Sequence, residues 1–227
     1  MRTPTNHRQS GFTLIELLIV MTVIGVLAGM AVPNLLSSRL SANEAAVIAT
    51  MRAISTAEYQ FHSAAELDVN GDGGFEFGTL GELAALDNLR GENVRLARNL
   101  LSAGTAGVDA LGWVTHHGFH FCLYLPDASG VGVPGIVDND SVIDPVQAHR
   151  YWTCVAWPVI AGSTGRRAFF VNQQGQVLQM MNTEYSGSTR VPSAGAGLAG
   201  VVPECINTQQ LAVNKLGADG QYWIAVH

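Results

Sequence analysis

Charge is scarce in this chain. Charged side chains make up 13% of the 227 residues, and the 12 basic residues, outnumbered by 18 acidic ones, form no cluster. The fixed basic face that grips a phosphate backbone is therefore missing, and no nucleic-acid partner is predicted. Cysteine is scarce too. Cys122, Cys154 and Cys205 lie far apart and make no CxxC pair, so zinc-ribbon and thioredoxin-type sites have no ligands. Two readings of the three thiols stay open: one disulfide with a leftover thiol in an oxidising compartment, or three small buried apolar side chains. A glycine-rich phosphate loop, GxSxG and HExxH are all absent. Nothing nominates a catalytic set, and the chain is not read as an enzyme.

What the chain has is apolar bulk, with 48% hydrophobic residues. That proportion excludes disorder and, at this length, suits one domain with an appendage. The appendage is at the N-terminus. Residues 1–11, MRTPTNHRQSG, are polar, carry Arg2 and Arg8, and contain no acid. From Phe12 to Val32 the run FTLIELLIVMTVIGVLAGMAV holds one charge, Glu16. About 20 apolar residues at a helical rise span roughly 30 Å, the thickness of a bilayer core. The positive flank keeps the short leader in the cytoplasm and sends the rest across.

An ordinary signal peptide would place a small-residue cut after a short apolar stretch, and Ala28, Gly29 and Ala31 give that reading some footing. The run is long, however, and Ser10-Gly11 precedes it. A plain signal anchor explains the span but not Glu16. A carboxylate one turn inside an apolar helix is costly in lipid and calls for a partner. A cut between Gly11 and Phe12 would create an α-amine at Phe12, which shares a helix face with Glu16 at i, i+4. In an array of such helices, Glu16 of one subunit could instead meet the Phe12 amine of its neighbour. The competing reading is an interfacial glutamate that snorkels to water.

The stretch Gly11-Phe12-Thr13-Leu14-Ile15-Glu16-Leu17-Leu18-Ile19-Val20 resembles the prepilin processing motif of type IV pilins and type II secretion pseudopilins. The resemblance implies cleavage after Gly11 by a prepilin peptidase, N-methylation of Phe12, and an assembly role for Glu16, the fifth residue after the cut. It also implies partners: copies of the chain itself and other pilin-like subunits in a filament, with inner-membrane lipid before assembly. The localisation implied is a single pass of the inner membrane with the globular part outside the cytoplasm, then a pilus or pseudopilus. Gly25 and Pro33 match helix-weakening positions of the family. Loss of Arg2 and Arg8 with the leader would take the formal charge from −6 to −8.

Past Pro33 the apolar pattern resumes. Val47, Met51, Ile54, Phe61 and Ala65 keep a helical period, with Arg39, Glu44, Arg52 and Glu58 off that face. The expected organisation is a leader (1–11), a transmembrane or filament-core helix (12–33), an amphipathic continuation (34–66) and a globular domain (67–227). Short helices are expected at 79–89 and 92–101, and strands at 117–125, 151–159, 166–172 and 176–181. The last two flank the turn Gln173-Gln174-Gly175. Residues 186–200, SGSTRVPSAGAGLAG, read as a mobile surface loop, and 221–226 as an edge strand. The fold class is α+β and pilin-like: one long N-terminal helix, its first half membrane-spanning, packed on an antiparallel β-sheet of about four strands.

Asp68, Asn70, Asp72 and Glu76 form the best metal candidate. Oxygen donors alternating along a glycine-bearing loop suit calcium and resemble the first half of an EF-hand-type loop. Thr79 stands where the bidentate glutamate of that pattern belongs. The alternative is an Asx/Gly turn ending the helix. Asp138, Asp140 and Asp144 form a second acidic loop. His116 and His120, about 13 Å apart on one strand, are too distant to share a metal. The four tryptophans read as packing residues.

Overall fold

The computed structural model describes residues 11–181, 184–200, 202–208 and 210–226. The chain divides into two compact units, one ending at Arg39 and the other running from Leu40 to His227. The first unit is helical over its described residues from Leu14 onward and carries Pro33 within the helix. All of residues 11–39 are exposed.

The helix α1 spans Leu14–Ser63 and buries Leu40, Glu44, Val47, Met51, Ile54, Ala57, Glu58 and Phe61. Its apolar stripe is thus the expected one up to Phe61. It stops at Ser63 because Ala65 takes a left-handed φ of 57° and closes the last turn with a hydrogen bond from its N–H to the His62 carbonyl. Ala65 is therefore exposed beyond the helix and does not extend the stripe.

Val47, Met51, Ile54 and Phe61 pack with Phe119, Phe121, Leu123, Cys154, Ala156, Phe169 and Val171 in one buried cluster, so α1 lies on one face of a sheet. The strands are β1 (Trp113–His116), β2 (Phe119–Pro126), β3 (Gly132–Pro134), β4 (Thr153–Pro158), β5 (Arg167–Asn172), β6 (Leu178–Met181), β7 (Lys215–Leu216) and β8 (Tyr222–Ala225). Their order is β1-β2-β4-β5-β6-β8-β7 with β3 also on β2, and each pairing is antiparallel. This is the expected α+β architecture, one long N-terminal helix on an antiparallel sheet.

The sheet is wider than four strands. The expected single strand over 117–125 is interrupted at its start. His117 and Gly118 both take positive φ, 50° and 74°, and form the two-residue turn that joins β1 to β2. His116 and His120 consequently sit on different strands, opposite Phe119 and Thr115. β8 lies between β6 and β7 rather than at the edge. The turn after β5 forms as expected, with Gly175 at φ 74° and its N–H bonded to the Asn172 carbonyl. The expected helix at 92–101 does not form, and that at 79–89 shrinks to α2 (Leu80–Leu83).

The second face of the sheet is buried as well. Cys122, Tyr124, Val155, Trp157, Phe170, Leu178 and Trp223 pack with Ala194, Ala196, Leu198, Ile206 and Ala212. The expected mobile surface loop over 186–200 is therefore only partly a surface loop. Its central part, 194–198, is buried because its small residues let the backbone lie flat on the aromatic face. A Cβ added at Gly197 would stand 2.5 Å from Phe170 Cγ. Cover on both faces accounts for the burial of β4 at all six positions, where the one polar side chain, Thr153, donates its hydroxyl to the Ala194 carbonyl. Cys122 and Cys154 belong to opposite faces, and all three cysteines are free.

Candidate functional site

The sequence directs attention to the start of α1. Phe12 is 84% exposed and Leu14 82%, and Glu16 stands in the first turn. Thr13 and Glu16 bond reciprocally. The Glu16 N–H donates to Thr13 Oγ1 at 3.2 Å, and Glu16 Oε2 accepts from the Thr13 N–H at 3.2 Å and from its hydroxyl at 3.1 Å. This is a capping box, which satisfies two of the amide groups that every helix start leaves without partners. Its signature, threonine followed three residues later by glutamate ahead of an apolar run, is legible in the sequence, but the Phe12–Glu16 spacing alone does not reveal it. Among the described residues, a Cβ added at Gly11 would meet no atom within 4 Å. Residues 1–10 of the expected leader lie outside the described residues.

By length and composition α1 is able to cross a membrane, and none of its most apolar stretch is buried. Leu17, Leu18, Ile19, Val20, Val23 and Ile24 are each at least half exposed. Apolar surface on that scale is stable only against lipid or other apolar helices.

In the acidic loop the side chains serve their own backbone. Asp68 accepts from the N–H groups of Gly71 (2.8 Å) and Gly73 (3.0 Å), and Asp72 from that of Gly74 (2.7 Å). The Asn70 amide donates to Asp72 Oδ2 at 2.7 Å. The Gly74 N–H bond is the main influence holding the Asp72 carboxyl below its ordinary range. Glu76 is buried, accepts from the Val69 N–H, and is pushed upward by its burial. The residues are oxygen donors of the kind calcium prefers, and a cation would compete with these hydrogen bonds. Among the described residues, no three His, Cys, Asp or Glu side chains are grouped to hold a metal. In the second acidic loop, Asp144 caps the short helix α3 (Pro145–Ala148) through the Gln147 N–H, while burial raises Asp140 to about 6.

Periodicity places Glu44 and Glu58 off the apolar face, but the structure buries both. Glu44 accepts from the Arg166 N–H at 2.8 Å and pairs with Arg167 at 3.5 Å. Glu58 accepts from the Gly78 N–H at 3.0 Å, and its Oε1 has no partner. Desolvation raises its pKa well above 4.5, which favours the neutral acid. Nearby, Glu82 binds the Thr79 N–H, the Arg90 N–H and Arg90 Nε, and Arg90 also reaches the Phe77 carbonyl. Thr79 and Glu82 form a capping box three residues apart, which is legible in the sequence, whereas Arg166, Gly78 and Arg90 come from positions that no local signal announces.

Residues 6–32 match the family model described as the prokaryotic N-terminal methylation motif. The chain is 40% identical over 58 residues to the type IV major pilin protein PilA of Myxococcus xanthus, an alignment covering 26% of each chain. It is 38% identical over 51 residues to the type II secretion system core protein G of Aeromonas hydrophila, covering 22% of this chain and 36% of that one. It is 56% identical over 39 residues to the type IV wide pilus major component PilA4 of Thermus thermophilus, covering 17% and 30%. The chain thus spans between a quarter and somewhat over a third of the length of these curated relatives. No solved structure matches.

Proposed function

We propose that this chain, which carries the N-terminal methylation motif shared by type IV pilins and type II secretion pseudopilins, is a structural subunit of a type IV pilus-like filament. Prepilin peptidase cuts between Gly11 and Phe12 and Phe12 is N-methylated. The subunit waits in the inner membrane on residues 12–33 with residues 67–227 outside the cytoplasm, and then assembles through its N-terminal helix with copies of itself and other pilin-like subunits. The observation that carries this reading is the apolar first part of α1, exposed throughout as far as Arg39, whose single early acid is Glu16. In a filament the neighbouring helices replace lipid around that surface, and the Phe12 amine of one subunit neutralises Glu16 of the next, fixing the axial register.

The second reading is a type II secretion pseudopilin, favoured by the 38–40% identity to core protein G over 51 residues. The N-terminal physics is the same in both. Electron microscopy of a deletion strain together with a secretion assay separates them: lost surface fibres with normal secretion support the pilus, and retained fibres with blocked secretion support the pseudopilus. Mass spectrometry of the membrane-extracted chain tests both at once. The expected mass begins at Phe12 and carries one added methyl group, and Gly11→Leu, where an added Cβ meets no described neighbour, leaves the start at Met1. A wild-type chain still starting at Met1 would exclude either filament reading in favour of a membrane-anchored enzyme or binding domain.

We also propose calcium as the cation of the Asp68, Asn70, Asp72 and Glu76 loop, supported by the donor chemistry of those side chains.

A further inference from the structure

We propose that the cleft between α1 and the turn after β5 binds a neutral sugar ring. The cleft encloses about 560 Å³ and lies within the unit that starts at Leu40, a volume in the range of small-molecule sites. Its walls include Tyr59, His62, Phe77, Trp152 and Gln173. This proposal goes beyond the filament reading and holds whichever filament the chain enters.

Two features set the ligand class. One is the aromatic surface. His62 stacks on Phe77 with centroids 4.5 Å apart and planes at 24°, and Phe77 meets Trp152 at 6.2 Å. Tyr59 stands on the same wall with 73% of its surface exposed. The open face is that of Tyr59, since Trp152 is 1% exposed and His62 stacks on both Phe77 and His149. A flat ring of this kind takes the C–H side of a pyranose, which presents weakly positive hydrogens. The other is unmet hydrogen-bonding capacity. Both amide atoms of Gln173, Oε1 and Nε2, are buried without a partner, and so is the Trp152 Nε1–H on a residue 1% exposed. A buried polar atom without a partner costs about 1–3 kcal/mol, so native folds rarely leave three around one cleft without a use. An amide that lacks both a donor and an acceptor contact is matched by neighbouring hydroxyls, each of which donates and accepts. Gln173 follows the last residue of β5, Asn172, and lines the cleft from the connection after that strand.

Charge narrows the class further. Among the described residues lining the cleft there is no Asp, Glu, Lys or Arg, and burial lowers the His62 imidazole below 6.5, which keeps it neutral near pH 7. An anionic or cationic ligand would find no counter-charge there.

The test uses the full mature chain in a zwitterionic detergent without a sugar headgroup. Glucose, galactose and N-acetylglucosamine are titrated against tryptophan fluorescence and saturation-transfer NMR, with glucuronate as the charged control. A saturable response to at least one neutral sugar, stronger than that to glucuronate, is expected. Tyr59→Ala and Gln173→Leu should each weaken binding about tenfold, and Gln173→Leu should keep or raise the thermal midpoint because it removes the unmet amide. Tighter binding of an oligosaccharide than of its monomer identifies a polymeric glycan as the source, and equal binding a free sugar. No saturable response to any neutral sugar, or unchanged binding in both variants, overturns the proposal and leaves the cleft to a neighbouring subunit or peptide.

Discussion

The Glu16 carboxylate accepts from both the backbone N–H and the hydroxyl of Thr13, while Thr13 Oγ1 accepts from the Glu16 N–H. The acid that the filament reading reserves for a neighbour's amine thus already has work at the start of its own helix. The two roles are compatible, because a carboxylate has lone pairs for several donors. They do divide the expected effects of mutation. Thr13→Ala removes a cap, worth about 1 kcal/mol of helix stability, but keeps the charge, so filaments should form in reduced number. Glu16→Ala removes cap and charge together, so cleavage should proceed while filaments are lost. Mass spectrometry reads cleavage and electron microscopy counts the filaments. Normal filaments from Glu16→Ala would sink the register argument.

Glu58 sets a pH dependence. Its folded-state pKa is raised well above 4.5, first by desolvation and against the opposing Gly78 N–H bond. The unfolded chain therefore releases this proton at lower pH than the folded one. The stabilising contribution is full below about 4.5 and falls as pH rises from there, by up to about 1.4 kcal/mol per pH unit. Glu58→Gln keeps an acceptor for the Gly78 N–H and cannot ionise. Thermal midpoints measured from pH 4 to pH 8 should fall less steeply in the variant, which should be the more stable protein at pH 8. Parallel curves would show that Glu58 ionises freely in the fold.

Gly197 tests the cover on the second face of the sheet. A Cβ there would meet Phe170 at 2.5 Å, and neither a packed ring nor the backbone has room to move. Gly197→Val should cost about 1–3 kcal/mol in chemical denaturation, whereas Gly200→Val, where a Cβ meets nothing described within 4 Å, should change little. Equal effects at both positions would contradict the buried placement of 194–198.

For the Asp68 loop, calcium should raise the thermal midpoint and chelator should lower it, since a ligand held only by the folded chain stabilises it by mass action. Asp68→Ala should remove that response. A midpoint indifferent to calcium assigns the loop to its own hydrogen bonds.

Several features were legible in the residues alone: the apolar run after Gly11, the lone Glu16, the stripe through Val47, Met51, Ile54 and Phe61, and the turn at Gly175. Periodicity, a charge in an apolar run and a glycine at positive φ are each written in a few neighbouring residues. Packing settled the rest. It buried Glu44 and Glu58, gave Glu82 its Arg90 partner, laid the small residues 194–198 on Phe170, and gathered Tyr59, Phe77, Trp152 and Gln173 around one cleft. Those outcomes depend on which distant segment covers each face. Burial and hydrogen bonding are properties of the packed neighbourhood, and a chain position acquires them only when the sheet is sandwiched between its helix and its loops.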